Sequence, residues 1–220
     1  MTRALTTLAV VGITLAAPHG APAQSPASAA ESPTIPNLPD VDPELLRLVV
    51  ADQWDRGMDM FGGRQVTQPE APDFQRIAER DAKRRADARR LLAAGRIRSG
   101  REHQFAALLF QHSDTAEDLR LAHVLATTAV FKGQVEARWL AAATTDRYLW
   151  HLGQPQIFGT QFKRGPDAAE WTNEPYDPDA LSDSVRAAWC VVPLSEQAAV
   201  LTAMRQGKGT ASTSLADCPH

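Results

Sequence analysis

The chain has 220 residues, with 23 lysines and arginines against 26 aspartates and glutamates, and a formal net charge of −3 at pH 7. This slightly acidic balance gives no electrostatic basis for binding nucleic acid or an anionic membrane surface. The length that remains after the N-terminal leader described next suffices for one sizeable hydrophobic core and not for two. We therefore expect a single domain.

The N-terminus has the three parts of a secretory signal peptide. Arg3 supplies a positive charge, residues 5–17 form an uncharged apolar run, and residues 21–23 (Ala-Pro-Ala) offer small side chains to signal peptidase. The apolar run of about 13 residues is too short for a bilayer whose hydrocarbon core is about 30 Å thick. We predict a signal peptide over 1–23 with cleavage after Ala23, and a periplasmic or secreted mature protein with no membrane span. The alternative is a retained membrane anchor.

Composition divides the mature chain into three segments. Residues 24–41 are rich in proline, serine and alanine, which predicts a disordered linker. A helical domain is predicted over 42–205, followed by a polar, flexible tail over 206–220. Cys190 and Cys218 could form a disulfide in an oxidising compartment, and closing a loop of about 28 residues would contribute roughly 3 kcal/mol. The alternative is two unpaired thiols.

The first half of the predicted domain carries clear helix-start signals. Asp42 followed by Pro43 predicts the first helix, and apolar residues at helical spacing continue it. Residues 57–72 contain glycines and prolines, which predicts a loop. A long helix is then predicted over 74–94, with Asp73 as its cap.

Further capping signals follow in the second half. Ser99 with Glu102 forms the pattern of a capping box and opens a helix that ends near residue 111. Asp114 with Glu117 predicts the cap of the next helix. The remaining predicted helices cover 135–152, 183–188 and 195–205, and residues 153–179 form a structured loop. The predicted fold class is all-α, a single compact domain of about six to seven antiparallel helices.

Two histidines lie in the apolar part of this pattern. Gln111 and His112 come at the end of an apolar helix, where a charged histidine interacts favourably with the helix dipole. That interaction is the structural interpretation of His112, and a functional role is equally open. His123 lies within a mostly apolar helix, which is more typical of a hydrogen-bonded core residue than of a ligand.

Asp146 and Arg147 are charged residues deep within an otherwise apolar helix. Adjacent residues on a helix point about 100° apart, so the two side chains cannot pair with each other. Each then needs its own partner if it is buried. Arg147 either ties its helix to a neighbour, through Asp52 or Asp81, or holds an anionic or polar ligand with its planar guanidinium.

Amide side chains dominate the segment that follows. Gln156, Thr160 and Gln161 flank Gly159, and glycine allows close backbone approach or a positive φ. Amides supply hydrogen-bond donors and acceptors but cannot act as general acids or bases near neutral pH. They can orient a substrate or satisfy exposed helix ends.

Taken together, these motifs resemble a bacterial family of unknown function, domain-of-unknown-function family 6624. Its members usually show a QH pair, a helix that ends in DR, and a G-x-x-Q-x-(F/Y)-G-T-Q run. The matching residues here are Gln111-His112, Asp146-Arg147 and 153–161.

The resemblance extends beyond these motifs, backward to Asp52-Gln53 and Asp55-Arg56 and forward to Arg186. It departs from the family pattern at 188–191, where a Gly-Leu pair is expected, and at His103, where an acidic residue is common. It implies an all-helical domain with a shared polar site, and it implies no activity because none is known for the family.

Two functional hypotheses follow from these residues. In the first, the protein binds a small polar molecule or a peptide outside the cytoplasm, and the predicted ligand-binding residues are Gln111, Arg147, Gln156, Thr160 and Gln161. The same polar set could instead form an internal network that fixes the helix register, with a partner bound at the surface.

In the second hypothesis the protein is a metal-independent hydrolase. His112 acts as the general base, and Asp146 orients it or serves as a second acid or base. A G-x-S-x-G nucleophile motif is absent from the sequence, which disfavours covalent catalysis. His112, His123 and a carboxylate lack the spacing of known zinc motifs, so we expect no metal and no other cofactor. Whether the protein is an enzyme stays open at this point.

Overall fold

The computed structural model describes residues 32–62, 64–65, 74–164 and 171–206. The predicted signal peptide, residues 24–31 of the predicted linker, residues 207–220 of the predicted tail and Cys218 lie outside these ranges. The cleavage site and the disulfide therefore stay predictions. The predicted all-α class is confirmed, because most of the described residues are helical.

The described residues form seven α-helices, one turn of 3₁₀ helix and two short antiparallel ladders. The helices are α1 (Pro43–Trp54), α2 (Phe74–Ala93), α3 (Gly100–Phe110), α4 (Ala116–Phe131), α5 (Arg138–His151), α6 (Asp183–Ala188) and α7 (Leu194–Arg205). The 3₁₀ turn (Val135–Ala137) leads directly into α5. The strands are β1 (Met58–Asp59), β2 (Arg64–Gln65), β3 (Lys163–Arg164) and β4 (Trp171–Thr172).

Two of the predicted helix caps are confirmed. The Asp42 carboxylate accepts from the backbone N–H groups of Glu44 and Leu45, at 2.9 and 3.2 Å. Ser99 Oγ accepts from the N–H of Glu102 at 3.1 Å, and the Glu102 carboxylate accepts from the N–H of Ser99 at 2.8 Å. These reciprocal bonds form the capping box that starts α3.

The predicted cap of α4 is wrong by one residue. Thr115, not Asp114, is the cap, and its Oγ1 accepts from the N–H of Asp118 at 3.3 Å. Asp114 is exposed. Thr115 with Asp118 has the same three-residue spacing as Asp114 with Glu117, so the sequence carries a capping signal at two adjacent positions.

The two predicted loops each contain a short pair of β-strands that the sequence did not indicate. β1 pairs with β2 within the first loop, and β3 pairs with β4 within the second. Each strand is only two residues long, so it shows no alternation of apolar and polar side chains.

The main hydrophobic core lies between the first five helices. It is built from buried apolar residues such as Leu45 and Val49 of α1, Leu91 of α2, and Phe110 of α3. Burial of each such side chain stabilises the fold by about 1.5–3 kcal/mol. No helix among the described residues is both long and apolar enough to cross a bilayer.

A second, smaller core holds the segment that follows α5. Phe158 packs with Ala142 of α5 and with Val191, and its ring centroid lies 5.1 Å from that of Trp189. This core brings the amide-rich loop against α5 and α6. It thereby positions the polar residues that the sequence singled out.

Candidate functional site

A group of buried ion pairs joins α1 to α2. We call it the arginine–aspartate cluster, and it consists of Asp52, Asp55, Arg56, Asp81 and Arg84. Arg56 donates to Asp52 Oδ1 at 2.9 Å and to Asp81 Oδ2 at 2.6 Å. Arg84 donates to Asp81 Oδ1 at 2.8 Å and also pairs with Asp55. Because buried charges are tolerated when they are paired, the cluster can fix α2 against α1 in the protein interior.

His112 lies beside this cluster, just beyond the end of α3, with only 8% of its side chain exposed. Its Nε2 is 3.5 Å from Asp52 Oδ2, which is too long for a good hydrogen bond. The Asp52 carboxylate is engaged elsewhere, since it accepts from Arg56 and, at 2.7 Å, from Gln53 Nε2. Neither ring nitrogen of His112 has a hydrogen-bond partner among the described residues. Buried polar groups in proteins are rarely left in this state.

The surroundings of His112 favour its neutral form. Burial lowers the pKa of His112 well below 6.5, and the positive charges of Arg56 and Arg147 lower it further. Burial also raises the pKa of Asp52 to about 7, against the opposing effect of Arg56. At neutral pH the imidazole is therefore uncharged, which is the form that can accept a proton.

Arg147, on α5, lies next to the same region. Its Nη1 donates to the backbone carbonyl of Gln111 at 3.2 Å, while its Nε is buried and has no hydrogen-bond partner among the described residues. Neither Asp52 nor Asp81 pairs with Arg147. Burial, with the charge of Arg56, lowers the pKa of Arg147 to about 10, so the guanidinium stays charged at neutral pH.

Asp146, the neighbour of Arg147 on α5, has a different environment. Its Oδ1 accepts from the N–H groups of Ile157 and Phe158, at 2.9 and 3.0 Å. Its Oδ2 accepts from the N–H and the hydroxyl of Thr160, at 2.8 and 2.7 Å. Burial raises the pKa of Asp146, and these four hydrogen bonds act against that rise. The carboxylate thus fixes the loop to α5.

Gln156 fixes the same loop from within. Its side chain is fully buried, its Oε1 accepts from the N–H of Gln161 at 2.8 Å, and its Nε2 donates to the Gln161 carbonyl at 3.0 Å. The Nε2 group also donates to the carbonyl of Asn173. Gln161 Nε2 in turn donates to Thr160 Oγ1 at 2.9 Å and to the Ala143 carbonyl at 3.3 Å.

Two residues from the C-terminal helices complete this arrangement. Arg186 is fully buried, and it donates to the carbonyls of Phe158 at 2.8 Å and Ile157 at 3.3 Å. Gln197 Nε2 donates to the Phe158 carbonyl at 3.1 Å. We call the whole set the loop network, and its side chains are Asp146, Gln156, Thr160, Gln161, Arg186 and Gln197.

Glycine at position 159 is required by the shape of this loop. Gly159 has a φ of +72°, in the left-handed region that other residues rarely adopt. A Cβ added there would lie 3.0 Å from Cε2 of the Tyr176 ring. The glycine of the GTQ motif is therefore explained by backbone conformation and packing.

The structure divides the predicted site residues into two groups. Gln111, His112 and Arg147 lie together beside the arginine–aspartate cluster. The other four belong to the loop network, namely Asp146, Gln156, Thr160 and Gln161. The predicted catalytic pair, His112 and Asp146, is not brought into contact in the described part of the chain. The acidic neighbour of His112 is Asp52.

Sequence reasoning did not assign a site role to Asp52, Arg84, Arg186 or Gln197. A signal was present for Asp52, because it follows Leu45 and Val49 at helical spacing and so falls on the buried face of α1. Arg186 gave no such signal, since α6 is too short for a periodic pattern. Among the described residues, no three or more His, Cys, Asp or Glu side chains are grouped so that they could hold a metal ion.

Comparison of the chain with protein-family models, with curated proteins and with solved structures found no match. The resemblance to family 6624 therefore stays a prediction from the motifs.

Proposed function

We propose that this protein is exported and that it binds a small polar molecule in a site formed by Gln111, His112 and Arg147. The observation that carries the proposal is that both ring nitrogens of His112 and Nε of Arg147 are buried without a hydrogen-bond partner among the described residues. Arg147 also donates to the carbonyl of Gln111, the residue before His112. A buried donor or acceptor without a partner costs about 1–3 kcal/mol. A ligand that hydrogen bonds to these atoms recovers that free energy, which gives the site its affinity.

In this proposal the loop network has a supporting role. The polar atoms of Asp146 and Gln156 already bond to the loop backbone, and Thr160 bonds to Asp146. These residues hold the loop against α5 and thereby fix the position of Arg147, the residue after Asp146. Second-layer support of this kind keeps a binding residue in one orientation.

A thermal-shift screen of small polar metabolites tests the binding site. For a ligand present at about 100 times its Kd, we expect the mature wild-type protein to gain about 2.7 kcal/mol of stability. His112→Ala is expected to lose this gain. His151→Ala removes an exposed histidine at the end of α5 and serves as the matched control that keeps it. A ligand that stabilises wild type and His112→Ala equally would exclude His112 from the site.

A hydrolase that uses His112 as general base is the second candidate function. The neutral imidazole beside the Asp52 carboxylate favours it, because a carboxylate near one ring nitrogen can orient the base and stabilise its charged form. Mass spectrometry of each stabilising compound after incubation with the protein separates the two functions. Recovery of the compound unchanged supports binding alone, and His112-dependent hydrolysis supports the enzyme.

Export is tested separately, by expressing the full-length chain in a bacterial host and sequencing the N-terminus of the product. We expect the protein in the periplasmic or culture fraction, with Gln24 as its first residue. A product that keeps Arg3 and stays in the membrane fraction would instead support the retained anchor.

A further inference from the structure

The carboxylates of the arginine–aspartate cluster and of α4 are already shared among several arginines. Asp55 pairs with Arg80 and Arg84, and Asp81 pairs with Arg56 and Arg84. Asp118, on α4, likewise pairs with both Arg85 and Arg89. Each of these three carboxylates is thus already engaged by two arginines.

Arg147, by contrast, has no counter-ion among the described residues. Among the described residues no carboxylate pairs with it, and its one hydrogen bond goes to the neutral carbonyl of Gln111. A buried charge without a partner is costly, whereas a guanidinium bonded to an oxyanion forms strong, charge-assisted hydrogen bonds. The hydrogen-bond acceptor that Arg147 lacks is thus a negatively charged oxygen.

We propose that the ligand carries an oxyanion, a carboxylate or a phosphate group, which accepts hydrogen bonds from the Arg147 guanidinium and from Nδ1–H of His112. This inference rests on the proposed function and names the class of ligand. Nδ1 is the ring nitrogen that faces away from Asp52, because Nε2 is the one 3.5 Å from the carboxylate.

When Nδ1–H donates to the oxyanion, the lone pair of Nε2 faces the Asp52 carboxylate. A proton held by Asp52 or by Nε2 favours this arrangement, because it removes the repulsion between the two groups. Four positive groups face this pair, namely Arg56 beyond α1, Arg84 and Arg85 of α2, and Arg147 of α5. The negative group that faces it is Asp81 of α2. Anion binding is therefore favoured by a proton on Asp52, which this carboxylate loses as the pH rises above about 7.

The test titrates the mature protein with succinate and, separately, with inorganic phosphate, against sodium chloride at equal ionic strength. The Nε–H signal of Arg147 is followed by nitrogen-15 NMR. We expect a saturable shift of this signal with at least one oxyanion and none with chloride. Saturation by succinate alone identifies a carboxylate site, and saturation by phosphate alone identifies a phosphate site.

Two variants and a pH series complete the design. Arg147→Met is expected to weaken oxyanion binding at least tenfold, as is Arg147→Lys, which keeps the charge but loses the planar fork. Arg120→Met removes an exposed arginine of α4 and is expected to bind like wild type. Succinate affinity is expected to fall as the pH rises above about 7, where Asp52 loses its proton.

Several outcomes would overturn the inference. One is that neither oxyanion produces a saturable shift of the Arg147 signal in the wild-type protein. This measurement does not depend on the folding of a variant. Another is equal oxyanion affinity in Arg147→Met and in wild type. If a neutral polar compound still stabilises the protein through His112, the proposed function stands and only the oxyanion fails.

Discussion

Replacement of Asp146 by asparagine is expected to lower the free energy of unfolding by about 3 kcal/mol. The substitution keeps the shape of the side chain but turns one oxygen into an NH₂ donor. That donor then faces backbone N–H groups of Ile157 and Phe158, or that of Thr160, which are themselves donors. The variant loses charge-assisted hydrogen bonds and leaves at least one buried N–H unpaired.

Urea unfolding of wild type and Asp146→Asn measures this difference. Asp114→Asn is the matched control, because Asp114 is exposed, and we expect it to change stability by less than about 0.5 kcal/mol. The expected loss distinguishes two roles of Asp146. A residue kept for catalysis at the expense of stability would give a variant as stable as wild type or more so, and that result would contradict the loop-fixing role.

The pH dependence of stability is expected to change in opposite directions in Asp52→Asn and His112→Gln. Asp52 has its pKa raised by burial to about 7 in the folded protein, so its stabilising contribution grows as the pH falls from about 7 toward 3.8. His112 has its pKa lowered by burial, so its contribution is lost as the pH falls below 6.5. In wild type the two effects oppose each other below pH 6.5.

Each variant removes one of the two titrating groups. Relative to wild type, His112→Gln is expected to gain stability as the pH falls below 6.5. Asp52→Asn is expected to lose stability relative to wild type, by about 1.4 kcal/mol for each unit that the pH falls from about 7 toward 3.8. The charged neighbours that hold these pKa values in place are Arg56, Arg84 and Arg147.

Urea unfolding at several pH values, in buffers free of carboxylates and phosphate, measures both differences. His151→Gln and Asp114→Asn alter exposed residues, and their curves are expected to run parallel to that of wild type. If the curves of His112→Gln and Asp52→Asn also run parallel to wild type, neither pKa is shifted as the structure indicates.

The helices could be predicted from the sequence because their signals are local. The first cap, Asp42, and the capping box at Ser99 each lie within four residues of the donors that they satisfy. Gly95, Gly133 and Gly153 mark helix ends through positive φ values.

The partners of the polar residues could not be predicted in this way. Asp146 bonds to residues 11 to 14 positions later, and Arg186 reaches back 28 positions to Phe158. Such contacts depend on how the loop folds over α5, which hydrophobic periodicity does not encode. The sequence correctly indicated that Asp146 and Arg147 need separate partners, but it could not show that one partner is a loop and the other a backbone carbonyl.

One peptide group of the loop network lies between two opposite charges. The unit that joins Ile157 to Phe158 presents its carbonyl to the Arg186 guanidinium and its N–H to the Asp146 carboxylate. Its dipole is thus aligned with the field of both charges, and each charge strengthens the hydrogen bond of the other through polarisation of the amide. The peptide group thus couples the charges of Arg186 and Asp146 electrostatically, although the two side chains do not bond to each other. Neutralising Asp146 would therefore weaken the hydrogen bond from Arg186, and neutralising Arg186 would weaken the bond to Asp146. We expect the hydrogen bonds from α5 and from α6 to this loop to be lost together.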